Sequence, residues 1–360
     1  MKQLGLSIYP ENATLEENKA YLSEAAGYDF SRVFTCLISV KGDKEETKRN
    51  FGILTEHARN LGMEVIADVS PEVFKAFDVS FHDLKLFHEL KLSGIRLDIG
   101  FGGLEESFMT FNPYGLKIEI NMSNGTKYLE NILSHRPNLE NLIGCHNFYP
   151  HRYTGLSREH FMKCSNMFRK HGIRTAAFVS SSHASFGPWP VNEGLCTLEE
   201  HRYLPIDVQA KDLFNTGLID DVIIANAFAG QEDFRLLAGI DRNLLTLKAE
   251  LAEGIPDTER SIVLDELHFN RGDVSEYMIR STQTRIKYKG HHFAPFNTVP
   301  IKKGDILIES SLYDRYAGEL QIALKDMENS GKTNVVGRVS PDELFLLEHI
   351  EPWHKFRFVE

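Results

Sequence analysis

The sequence contains no unbroken apolar run near the 18 residues a membrane-crossing helix needs, so no membrane span is expected. It has no Lys/Arg-rich block, and its formal charge is −11, which speaks against a nucleic-acid partner. Cysteine is scarce. Cys36, Cys145, Cys164 and Cys196 are the four present, with no Cys-x-x-Cys, which disfavours both a zinc site and a disulfide framework and predicts reduced, mostly buried thiols. No His-x-His or His-x-x-x-His spacing suggests a metal, so neither a metal nor a cofactor is expected. The first residues carry one lysine and too short an apolar stretch for a signal peptide, which predicts a cytoplasmic protein.

What is present is an ordinary globular composition, 42% hydrophobic and 25% charged, in 360 residues, enough for a large domain and a smaller one. From Leu4 to Ala238 strand-like and helix-like stretches alternate. The strands are expected at Leu4–Tyr9, Phe30–Ile38, Met63–Val69, Ile95–Ile99, Leu116–Asn121, Leu142–Phe148, Ile173–Val179 and Asp221–Ala227. Capping boxes at Thr14/Glu17 and Thr197/Glu200 mark helix starts. This alternation predicts an α/β fold, a TIM (β/α)8 barrel over residues 1–240. A doubly wound sheet is the alternative, but no Gly-rich phosphate turn follows the first strand. Beyond it, residues 241–360 read as a small β-rich domain, with strands expected at Leu244–Leu251, Ser261–Phe269, Ser281–Tyr288, Asp305–Leu312, Leu320–Lys325 and Asn334–Val339, and one late helix opened by Ser340, Pro341 and Glu343.

The chemical centre is expected between Gly94 and Ser123. There Ile95, Leu97 and Ile99 alternate with Arg96 and Asp98, and Leu116, Ile118 and Ile120 with Lys117, Glu119 and Asn121. In a barrel the apolar members pack on the helices and the charged members face the lumen, where side chains near the carboxyl ends of strands read as functional. Asp98 and Glu119 would lie on neighbouring strands and form the carboxylate pair that glycoside hydrolysis uses, Glu119 as general acid. The alternative is a packing network in which Arg96 and Lys117 neutralise them. Asp68 is the reserve acid. Asn121, His146, Asn147 and Tyr149 suit sugar hydroxyls and a sugar ring, and Arg271, Arg280 and Ser281 suit an anion, with a salt-bridged turn through Asp273 and Glu276 as the alternative. Ser180–His183 lacks the Gly-x-Ser-x-Gly elbow and reads as a polar loop, and Phe186–Pro190 as an aromatic wall or a covering loop.

The chain also resembles a bacterial family long catalogued as a domain of unknown function and mislabelled outer surface protein, the 6-phospho-N-acetylmuramidases. The resemblance rests on the blocks at 5–11 (Gly-Leu-Ser-Ile-Tyr-Pro-Glu), 32–37, 94–98, 112–119, 144–150 (Gly-Cys-His-Asn-Phe-Tyr-Pro), 194–202 and 217–224 and on the Arg-Gly-Asp to Arg-Ser-Thr segment at 271–282. It implies a barrel followed by a cyclophilin-like domain, and an intracellular hydrolase of N-acetylmuramic acid 6-phosphate β-1,4-linked to N-acetylglucosamine, in peptidoglycan recycling. The partner would be that phosphorylated disaccharide. A phosphosugar isomerase or aldolase, with Lys117 as its lumen amine, and a non-catalytic carbohydrate-phosphate binder are the rivals. The oligomeric state stays open, a homo-oligomer included.

Overall fold

The computed structural model describes residues 2–37, 44–184, 186–188 and 193–360; Ile38, Trp189 and Pro190, which fall in stretches read above, lie outside them. The chain divides into two compact units, one running to Gly239 and one spanning Ile240–Glu360.

In the first unit, eight parallel strands close into a barrel in chain order: β1 (Gln3–Ile8), β2 (Phe30–Cys36), β3 (Glu64–Val69), β4 (Gly94–Leu97), β5 (Lys117–Asn121), β6 (Leu142–Cys145), β7 (Arg174–Val179) and β8 (Asp221–Ile224). β8 pairs back on β1, with Leu4 opposite Val222. The predicted barrel is therefore present. Outward residues are apolar because they seal the helices: Ile120, Met122, Leu129, Ile132, Leu142, Phe168 and Ile173 form one buried cluster between β5, β6 and two flanking helices. Each such large side chain contributes roughly 1.5–3 kcal/mol on burial. Gly94 is needed at the start of β4, because a Cβ there would meet Lys117 O at 2.5 Å.

The Thr14–Glu17 capping box forms as expected, opening the helix Leu15–Ala26. The one at Thr197 does not: Thr197 Oγ1 donates to Asn147 O, and a short 3-10 turn, Glu199–His201, precedes the helix Ile206–Asn215. Several strands end earlier than expected. β4 stops at Leu97, so Ile99 is 70% exposed rather than packed on helices.

The second unit is a seven-stranded sheet in the order β10-β15-β9-β14-β12-β13-β11, comprising β9 (Leu245–Leu251), β10 (His268–Phe269), β11 (Met278–Ser281), β12 (Asp305–Glu309), β13 (Leu320–Ala323), β14 (Thr333–Val339) and β15 (Lys355–Val359). It is nearly closed: Arg271 N, next to the edge strand β10, donates to Arg280 O on the other edge strand at 3.1 Å. Two expected strands are corrected. Ser261–Phe269 is mostly the helix Asp257–Asp265, entered through Pro256, and Ser281–Tyr288 is mostly the helix Gln283–Lys287. The late helix is a 3-10 stretch, Pro341–His349, and Glu343 accepts from Lys248 N of β9 instead of capping its own turn. Among the described residues no helix is long and apolar enough to cross a membrane.

Candidate active site

The barrel lumen is filled by ion pairs where branched hydrocarbon is usual. Arg32 of β2 has no exposed surface to speak of and forks between Glu119 of β5 and Asp221 of β8. Arg174 Nε reaches the same Asp221 at 2.8 Å. Nearer the carboxyl ends, Arg96 of β4 is buried with Nη1 3.2 Å from Asp68 Oδ2, Nη2 3.3 Å from Asp98 Oδ1 and Nε 3.9 Å from Glu119 Oε1. Its Nη2 also donates to Asn147 Oδ1. A guanidinium with five donors can bridge several acids in this way, which a lysine cannot.

The mouth above this layer opens into a cavity of about 680 Å³ lined by Asp68, Arg96, Asp98 and Asn147 together with Ile99, Phe148 and Tyr149. Acids and amide thus share a wall with apolar and aromatic surface, the combination that suits a sugar ring and its hydroxyls. Phe148 is fixed edge-to-face on Phe34 and Phe178, at 6.1 and 5.0 Å between ring centroids. Arg202 holds the segment behind Tyr149, donating from Nη1 to Tyr149 O at 2.9 Å and Glu193 O at 3.0 Å.

The two mouth acids differ. Asp68 is buried, its Oδ2 takes the Arg96 contact, and among the described residues its Oδ1 has no hydrogen-bond partner. Burial pushes its carboxyl up to about 6, against the pull of Arg96 and with a further push from Asp98. Asp98 has its side chain 44% exposed and receives hydrogen bonds from Arg96 Nη2 and, at 3.0 Å, Asn121 Nδ2. Asn121 in turn accepts from Ser123 N at 2.8 Å, which fixes its amide orientation. One acid is buried and raised, and the other is half-exposed and receives two side-chain donors.

Three expected site residues lie away from the cavity. Glu119 has no exposure and does not line the cavity; its carboxylate meets Arg32 and Arg96 below the floor. His146 is fully buried, stacked on Phe161 with centroids 4.7 Å apart and bonded to Ser123 and Ser165 hydroxyls at 3.1 and 2.9 Å. Burial drives its pKa down to about 3, so it stays neutral while bonded to Ser123. Ser281 is buried against His268 and Gln283, at 3.0 and 2.9 Å. Lys117 does not neutralise Glu119. Its Nζ lies on Glu140 O and Asn141 Oδ1, at the start of β5 and away from the mouth, which removes the candidate Schiff-base amine.

Asp68, Asp98, Asn121, Asn147 and Tyr149 are brought together at the first unit's mouth. In the second unit, Arg271 is bidentate to Asp273 at an exposed turn, Glu276 pairs with Lys325, and Arg280 Nε lies 2.8 Å from the buried Glu319. The salt-bridged alternative thus holds through Asp273 and not through Glu276. Ser181–His183 forms a polar loop as expected: Ser181 Oγ donates to Asp233 and accepts from His183 N and Ala184 N.

Arg32 and Glu106 escaped the sequence reading. Glu106 is fully buried and receives Phe101 N, Gly103 N and Tyr128 Oη at 2.5, 2.6 and 2.5 Å, pinning the loop that follows Asp98. Its signal was its place three residues after Gly103, the N3 position of the helix Leu104–Met109. Gly100 lets that loop pass Tyr128, whose Oη would lie 1.6 Å from a Cβ.

Models of two protein families match the chain: "6-phospho-N-acetylmuramidase, N-terminal" over residues 4–239 and "6-phospho-N-acetylmuramidase, C-terminal" over residues 245–359. Among solved structures, an uncharacterized B. cereus protein is 50% identical with a TM-score of 0.94, the alignment covering 100% of this chain and 99% of that one. A conserved protein of unknown function from Enterococcus faecalis is 22% identical with a TM-score of 0.74, covering 99% and 96%, and shares the fold. No curated protein matches the sequence.

Proposed function

The chain belongs to the 6-phospho-N-acetylmuramidase family and is a glycoside hydrolase, and from that premise we propose that Asp68 and Asp98 are the two carboxyl groups that open the glycosidic bond. Asp68 gives its proton to the leaving oxygen from the unpartnered Oδ1, and Asp98, ionised, acts at the anomeric carbon as nucleophile or as base for water. Arg96 keeps the pair in register and carries the compensating charge. The observation that carries this reading is one guanidinium spanning two mouth acids, the buried one, Asp68, raised to about 6.

The substrate we propose is N-acetylmuramic acid 6-phosphate β-1,4-linked to N-acetylglucosamine, cleaved in the cytoplasm during peptidoglycan recycling. Support for the sugar comes from the Ile99, Phe148 and Tyr149 wall beside Asn147. A cyclophilin-like assignment of the second unit is part of the same reading, supported by its nearly closed, mainly antiparallel sheet. Incubation with the phosphorylated disaccharide, followed by chromatography, tests it. Free N-acetylglucosamine from the wild type, and release roughly 10²–10⁴-fold slower from Asp68→Asn, is expected; intact disaccharide after incubation with the wild type refutes it.

A further inference from the structure

The second unit contains a cavity of about 870 Å³ between the stretch Arg285–His291 and the turn Ser311–Ala317. Its lining carries three cations, Arg285, Lys289 and Arg315, against one acid, Asp314, a positive surplus even though Arg285 shares the buried Glu319 with Arg280, in a chain whose net charge is −11. The side chains of Lys289 and Arg315 take no hydrogen bond or ion pair among the described residues. Arg285 is pre-set. Its Nη1 lies 3.1 Å from Oε2 of the fully buried Glu319, and its guanidinium sits over the Tyr316 ring at 5.5 Å. Such a group loses little freedom when it takes up an anion.

We propose that this cavity binds the phosphate monoester of a phosphorylated sugar, with Arg285, Lys289 and Arg315 as its cations. A monoester at pH 7 carries close to two negative charges and three acceptor oxygens, which the surplus and the fanned donors match. Ser311 Oγ accepts from Phe293 N and keeps its own hydrogen for a phosphate oxygen. Exposed carbon surface at Ile286 and Tyr316, 71% and 42% accessible, gives a sugar skeleton something to lie on that inorganic phosphate would not use. The choice of a sugar phosphate rests on the hydrolase reading given above, whereas the cavity's charge is independent of it.

The test is calorimetric titration of the full chain with N-acetylglucosamine 6-phosphate at low salt. Saturable binding, displaced by excess inorganic phosphate, is expected. The double variant Lys289→Ala/Arg315→Ala, altered only at exposed positions, should weaken it roughly a hundredfold, about tenfold per cation lost, with an unchanged melting curve. Asp68→Asn should bind as the wild type does. No saturable binding, or equal affinity in the double variant, overturns the proposal. Failure of the hydrolase reading would instead appear as an uncleaved disaccharide with this binding and its loss in the double variant intact.

Discussion

Asp68 and Arg96 are register partners on neighbouring strands, with Oδ2 and Nη1 3.2 Å apart, and the Asp68 carboxyl nevertheless stands raised at about 6. An adjacent guanidinium would ordinarily hold a carboxyl down. Here desolvation outweighs it, and the neighbouring carboxylates Asp98 and Glu119 add to the rise.

The first prediction concerns that proton. A general acid must be protonated to act, so kcat/KM should fall as pH rises through about 6. Asp68→Asn should lower kcat by roughly 10²–10⁴-fold with KM little changed, and a pH–rate profile together with initial rates checks both.

Glu119→Gln separates a floor residue from a catalytic acid. The Glu119 charge helps raise Asp68, so its removal should move the alkaline limb of the profile to lower pH while turnover persists below it. Loss of activity at every pH, with the fold intact by circular dichroism, would restore Glu119 to the chemistry.

Arg32→Met leaves Glu119 and Asp221 buried without their shared cation. Breaking a buried pair from one side costs about 3–5 kcal/mol, so the barrel's Tm should drop by roughly 6–20 °C in a thermal melt.

His146 and His268 are buried and neutral, with pKa values lowered by desolvation to about 3 and about 4. The unfolded chain takes up these protons first, near 6.5, so stability should decline as pH falls from there toward 3–4. A His146→Gln variant, which cannot titrate, should show a shallower decline in urea midpoints measured across that range.

Much of the barrel was legible because period-two apolar patterning reports which face of a strand meets the helices, and Ile95, Leu97, Ile118 and Ile120 are all fully buried as expected. The pattern is silent about what a lumen charge pairs with. Arg32 meets Glu119 and Asp221 across 87 and 189 residues, distances over which no spacing rule operates. Glu119 lies below the cavity and His146 faces outward onto Phe161 and Ser165 of the helix Arg158–Arg169, and neither depth nor facing can be read without the strand ends. β4 ends at Leu97, which sets Asp98 at the rim, two residues beyond the floor partner Arg96. In the second unit, short β-branched stretches such as Ser261–Asp265 read alike as strand or helix, and Pro256 was the cue for the latter.

The barrel's central layer of Arg32, Glu119, Asp221 and Arg174 has an evolutionary corollary. Hydrocarbon fillings can drift one methyl at a time, but an interlocked set of opposite charges has no tolerable single-step neighbour. Lineages that retain the fold should therefore exchange these four positions together or not at all, and correlated replacement across related sequences is the trace it would leave.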